Sequence, residues 1–210
     1  MILSFRGSPA VSIRSVGAVL GFAGLALAVA GCVPAAVLGG GAAVGVTAAQ
    51  ERSVGNAVDD AGSEISISTL LLQKDPKLFR KVGVEVVEGR ALLTGSVATP
   101  EDRIEAARVA WGASGVREVI NEIQVNDSSG LISATKDTWI TTQLRAKMLG
   151  DGGVNDINFN VETVNGVIYL LGIAQNQQEL EAVTNHARTI AGVQRVISHV
   201  RLKDDPRRQS

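Results

Sequence analysis

An internal repeat constrains this chain more than any other feature. Gly89, Gly95 and Gly115 recur 77 residues later as Gly166, Gly172 and Gly192. Val84–Gly95 overlays Val161–Gly172 without a gap, and Gly115-Val116-Arg117-Glu118-Val119-Ile120 overlays Gly192-Val193-Gln194-Arg195-Val196-Ile197. Three glycines at one spacing, with apolar positions in phase, mean two copies of one module. Ahead of them, Ile67 and Leu71 align with Ile140 and Leu144 at a shift of 73, and Ser66 then stands where the second copy has Trp139. That shift calls for four extra residues in the second copy, in the loop 150–155. A unit of roughly 65–70 residues is too long for a helical solenoid repeat and long enough for a small domain.

Each copy predicts the order αββαβ. The first helix spans Glu64–Gln73 or Asp137–Leu149. Two strands follow, Val82–Val87 with Ala91–Val97, and Phe159–Val164 with Val167–Leu171. Glu88-Gly89 and Asn165-Gly166 are the turns between them, the second a type I′ hairpin signal. A second helix covers about 100–112 or 176–191, with Pro100 suited to a first turn. The last strand is Val116–Val125 or Val193–Leu202. The fold class is therefore α+β: two tandem modules, each a three-stranded mixed sheet with two helices on one face. The other sheet face is left to solvent or to a covering surface, the other copy among the candidates. Aromatics are only 3% of residues, so both cores fall to Val, Ile, Leu and Ala.

The first 31 residues read as an export signal, set apart from the fold. Arg6 and Arg14 precede an apolar run, Val16–Ala30, and Leu27-Ala28-Val29-Ala30-Gly31-Cys32 closes it. Small residues directly before the only Cys resemble a bacterial lipobox, which implies acylation of Cys32 and a new N-terminus there. An uncleaved anchor is the competing reading, since Ser15–Gln50 carries no charge. Pro34 and Gly39-Gly40-Gly41 make a poor continuous helix for it. Val33 is not the Asp of inner-membrane retention, so the outer membrane is the expected destination. The domain plan is signal 1–31, lipidated Gly/Ala-rich tether 32–50, lead-in 51–63, first module 64–126, linker 127–136, second module 137–203 and tail 204–210.

Chemistry is sparse. A formal net charge of −1 gives no electrostatic case for nucleic acid. One Cys excludes an internal disulfide, and His186 and His199 are too scattered for a metal cluster. Glu101, Asp102 and Glu105 sit at a helix start, where acids complement the dipole. Glu85, Glu88 and Glu162 read as solvated strand residues, and His199 shows no partner. Gly39-Gly40-Gly41 lacks the lysine of a phosphate loop. No catalytic constellation emerges, and no cofactor is expected beyond the lipid on Cys32. The end, Lys203-Asp204-Asp205-Pro206-Arg207-Arg208, reads as a frayed terminus.

The most informative stretch is Asp137–Leu149, an amphipathic helix with Ile140, Leu144 and Met148 on its apolar face. Asp137 or Thr138 is placed to cap it. Trp139 lies about 100° from Ile140, at the edge of that face or beyond it. It is either a rim residue of the core or an interfacial aromatic touching lipid or protein.

The glycine-flanked strand–turn–strand and the Gly-Val-x-x-Val ending resemble the BON domain, a module named for bacterial osmotic-shock and nodulation proteins. The resemblance covers about residues 64–203 and is closer in the second copy. Arg52-Ser53-Val54-Gly55, Val58-Asp59-Asp60 and Asp137-Thr138-Trp139-Ile140-Thr141-Thr142 match, in order, the pattern of two-module outer-membrane lipoproteins of this family. The resemblance implies a non-enzymatic protein that is lipid-anchored, faces the periplasm and maintains outer-membrane integrity. It also implies contact with anionic phospholipid through the first helix of the second module, with Trp139 central. Thr142, Gln143, Ala146 and Leu149 share that side of the helix, and Arg145 and Lys147 flank it. The alternative is an adaptor that binds an envelope protein through its open sheet faces.

Overall fold

The computed structural model describes residues 50–126 and 131–208, with side chains from residue 133 onward in the second stretch. Cys32, the signal and the tether up to residue 49 lie outside the described residues.

The first module begins earlier than its apolar pattern suggests. Helix α1 spans Val54–Lys74, capped by the Ser53 side chain, which accepts from the Asn56 N–H. A short helix α2 (Pro76–Lys81) leads into strands β1 (Val82–Val87) and β2 (Arg90–Val97). Helix α3 (Pro100–Trp111) starts on Pro100 behind the Thr99 cap. The last strand is split into β3 (Glu118–Asn121) and β4 (Gln124–Val125), both parallel to β2. The second module has helix α4 (Leu131–Leu149), a 3-10 turn (Asp156–Asn158), strands β5 (Phe159–Val164) and β6 (Val167–Ala174), helix α5 (Gln177–Arg188) and strand β7 (Arg195–Leu202). Its sheet order is β5-β6-β7, as the first module's is β1-β2-β3, with the hairpin antiparallel and the crossover parallel. The α+β architecture with the two predicted sheets is therefore present.

The register of the first helix differs from the sequence expectation. The buried residues of α1 include Asp60, Ser63, Ile67 and Leu71. Those of α4 are Asp137, Ile140, Leu144 and Met148, which are the same four positions at a shift of 77. The repeat therefore runs at one spacing throughout, and the loop 150–155 holds no insertion. Matching one Ile-x-x-x-Leu to the other misplaced the helix by one turn, because Asp60 and Ser63 interrupt the apolar stripe. The segment forming α2 and its counterpart, residues 153–158, have equal length and different conformations.

The reason for a buried Asp is visible at the hairpins. Asp60 accepts the N–H groups of Glu88 and Gly89 at 2.8 and 2.9 Å. Asp137 accepts those of Asn165 and Gly166 at 2.7 and 2.8 Å. Asp137 thus lies inside α4 and holds the turn of its module; it does not cap the helix. All four turn residues have positive φ: Glu88 at 53°, Gly89 at 71°, Asn165 at 51° and Gly166 at 75°. That is the type I′ geometry, and the carboxylate satisfies two donors the turn would otherwise leave unpaired. Farther along, a Cβ on Gly95 or Gly172 would lie 2.0 or 2.1 Å from the carbonyl oxygen of Lys81 or Asn158. Only glycine fits at these two places.

Each module has its own helix-side core. The first packs Ile67, Leu71, Leu93 and Ala106; the second packs Ile140, Leu144, Phe159 and Leu170. A third cluster joins them: Val87 and Leu92 from the first sheet meet Tyr169, Leu171 and Ile173 from the second. The helix-free faces of the two sheets therefore cover each other. This explains why Val167–Ala174 is apolar almost throughout: a strand covered on both faces has no solvent side. At about 25 cal/mol per Å² of apolar area, such a cluster contributes several kcal/mol to keeping the modules together.

Candidate functional site

Helix α4 is fixed from three directions. Ile140, Leu144 and Met148 are buried against the second sheet. The Asp137 carboxylate grips the β5–β6 turn. Thr141 and Thr163 share a hydroxyl hydrogen bond of 2.7 Å. What remains is an outward strip. Trp139 is 48% exposed and Leu149 70%; Thr142 and Ala146 are exposed between them, and Gln143 is half-buried at the edge. Arg145 and Lys147 are exposed beside the strip. The structure thus brings the sequence-predicted residues onto one surface, and Trp139 is an outward residue of the helix with no place in the core cluster.

The corrected register changes the residue equivalent to Trp139. It is Gly62, where a Cβ would meet nothing within 4 Å, and not Ser66. Thr142, Ala146 and Leu149 correspond to Ile65, Thr69 and Leu72. Helix α1 therefore carries the same outward strip with different chemistry: Val58, Ile65 and Leu72 are 65%, 61% and 46% exposed. A second outward aromatic, Trp111 at the end of α3, is 56% exposed. The same helix also turns Ile104 outward, 57% exposed, while Ala106 and Ala110 form its buried face.

The carboxylates expected in solvent are not there. Glu85 and Glu162 occupy equivalent positions on the facing sheets. Burial, then the charges of Glu64 and Glu162, push the Glu85 carboxyl up to about 7. Burial also raises Glu162, while Arg145 opposes the rise. Part of the Arg145 field is therefore directed inward. Asn160 donates to Glu85 across the junction at 2.7 Å. Glu88 pairs with Arg208 at 2.9 Å, and Arg208 also donates to the Glu51 carbonyl. The C-terminal segment is consequently docked, not frayed. His199 pairs with Glu122 at 2.9 Å, a bridge between modules that sequence reasoning missed, and His186 sits at the rim beside Asp151 at 2.7 Å.

The two sheet faces cannot serve as open partner surfaces, because each is occupied by the other. Among the described residues, no helix is long and apolar enough to cross a membrane.

Comparison with known proteins fits this architecture. The family model described as "BON domain" matches twice, at residues 64–127 and 136–204. Outer membrane lipoprotein DolP of Haemophilus influenzae is 35% identical over 176 residues, which is 83% of this chain and 90% of that protein. An Anaplasma centrale protein described by its place in the gshII 5′ region is 44% identical over 70% of this chain and 96% of its own length. A 21 kDa hemolysin of Actinobacillus pleuropneumoniae is 34% identical over 70% and 75%. With two matched modules, each built on a Gly-flanked hairpin and a buried turn-holding Asp, the chain belongs to the BON-domain family as a tandem member similar to DolP.

Proposed function

We propose that this chain is a non-enzymatic outer-membrane lipoprotein, acylated on Cys32, whose folded part faces the periplasm and touches anionic phospholipid through the outer strip of α4, helping to maintain outer-membrane integrity. The likeness to an outer membrane lipoprotein supports the location. The observation that carries the lipid reading is the outward pair Trp139 and Leu149 beside Arg145 and Lys147, on a helix whose inner face is already satisfied. The module folds with Gly62 in the position of Trp139, so the aromatic is not there for the fold.

The magnitudes suit a reversible contact. An exposed Trp gains about 2–3 kcal/mol on burial of its apolar area. Each cation near an anionic surface adds about 1 kcal/mol. Such binding is weak alone, and the acyl chains would supply residence, since durable attachment needs about two of them. Two experiments test this. Replacing Cys32 with Ala should move the chain from the membrane to the soluble fraction; retention would speak for a spanning anchor. Hydrogen exchange of the full chain in nanodiscs should slow in α4 when phosphatidylcholine is replaced by phosphatidylglycerol. Equal exchange in both would remove the lipid role.

The protein-partner alternative is displaced from the sheet faces. A surface open to it is the outer strip of α1, where Val58, Ile65 and Leu72 are exposed.

A further inference from the structure

The junction between the modules contains a cationic cavity that neither the fold nor the lipid strip explains. Arg90, on β2, is only 3% exposed. Its Nη1 donates to the His199 carbonyl at 2.7 Å and its Nη2 to the Gly172 carbonyl at 3.3 Å. Its Nε is buried and has no acceptor among the described residues. Neither carbonyl neutralises the guanidinium. Burial, then the nearby Arg201, lower its pKa to about 10, so it stays a cation at neutral pH.

Arg90 lines a cavity of about 290 Å³ together with Arg117, Arg201, Arg207 and Arg208. Two carboxylates share the lining and are already engaged: Glu88 with Arg208 and Glu118 with Arg201. Arg207 is held by Asp205, which lies outside the lining. The lining itself therefore holds five arginines and two glutamates, and is cationic. The lining runs from the exposed Arg117 to the buried Arg90.

The repeat shows that the module itself does not require these cations. At a shift of 77, Arg90 becomes Val167, Arg117 becomes Gln194 and Glu88 becomes Asn165. A buried Arg with an unused donor is costly unless something satisfies it. Guanidinium groups match oxyanions in fork geometry and keep much of their bond strength when desolvated.

We infer that the Arg90 cavity binds a small oxyanion of the phosphate-monoester type, free or as a lipid headgroup. This site is separate from the α4 strip and stands whether or not that strip touches lipid.

The test follows the arginine side-chain Nε–H resonances of the full chain in nonionic detergent micelles. Inorganic phosphate is titrated against sodium chloride of matched ionic strength. A saturable shift of the Arg90 resonance is expected. Arg117→Gln, which copies the second module, should weaken it about tenfold, the loss of one charge-assisted contact. Arg90→Val should abolish binding, read from the amides of Arg117 and Glu118. If that variant does not fold, Arg201→Gln replaces it and should also weaken binding. A second arm uses nanodiscs with or without phosphatidic acid. A response to free phosphate alone identifies a soluble ligand, and a response to phosphatidic acid alone identifies a headgroup; either supports the site. No shift beyond matched chloride in both arms would overturn it. A shift that survives both Arg117→Gln and the Arg90 or Arg201 variant would overturn it as well.

Discussion

The first helices of the two modules are the same device with different outer faces. Both bury an Asp that holds a type I′ turn. Both place three further residues in the core at matching positions. Outside, α1 shows Gly62, Ile65 and Leu72 where α4 shows Trp139, Thr142 and Leu149. Duplication supplied two scaffolds of equal geometry, and the outer faces diverged because the fold does not constrain them. The sheets diverged in the same way. Their facing sides carry Thr94 and Ser96 in one module and Leu171 and Ile173 in the other, while Val87 and Leu92 give the first sheet the apolar area that meets the second.

The largest expected effects test the shared device. Gly95→Ala and Gly172→Ala each force a Cβ into a carbonyl oxygen at about 2 Å. Each should cost more than about 3 kcal/mol or prevent folding, measured by chemical denaturation. Next come Asp60→Ala and Asp137→Ala, each of which strips two turn N–H groups of their acceptor. A loss of about 2–4 kcal/mol is expected at both. Asp60 also takes Arg52 at 3.0 Å, so its replacement should be the worse of the two. Equal, negligible losses would mean the buried acids do not hold the turns.

The junction gives a smaller, pH-dependent effect. Glu85 is raised by burial from 4.5 to about 7. Between those values the folded state holds a proton that the unfolded chain has released. Stability is therefore greatest at or below about pH 4.5 with respect to this group, and falls as pH rises through 7. Glu85→Gln keeps an acceptor for Asn160 and should stabilise by about 1–2 kcal/mol at pH 8, with much less gain at pH 5. A gain independent of pH would refute the assignment. The smallest stability effects belong to the outer strips. Ile65→Ser with Leu72→Ser should shift the melting temperature little and leave lipid contact intact. Trp139→Glu should also leave the fold intact while weakening lipid contact by about tenfold or more. If the α1 double variant is the one that releases lipid, the functional assignment of the helices is reversed.

Much of this was legible in the sequence, and the failures have two causes. Glycines, turn dipeptides and apolar alternation are local signals, so the hairpins and the order αββαβ emerged directly. The angle between Trp139 and Ile140 left the Trp at the rim of the core or beyond it, and the structure turns it outward. The start of α1 was lost because Asp60 and Ser63 are buried polar residues, and periodicity counts such positions as exposed. Glu85, Arg90, His199 and Arg208 were misjudged or overlooked because their partners lie in the other module, far along the chain. The continuous apolar run of β6 was the one local hint that the second sheet face is covered.

The central claim is that α4, and not its equivalent α1, meets the membrane. The most direct measurement is tryptophan quenching by brominated phosphatidylglycerol in nanodiscs carrying the full chain. One sample keeps Trp139 as its only tryptophan, through Trp111→Phe. The other moves the reporter to the equivalent position, through Gly62→Trp with Trp111→Phe and Trp139→Phe. The account predicts strong quenching of the first, little of the second, and weaker quenching of Trp139 by brominated phosphatidylcholine. Equal quenching at both positions, or none at Trp139, would contradict it.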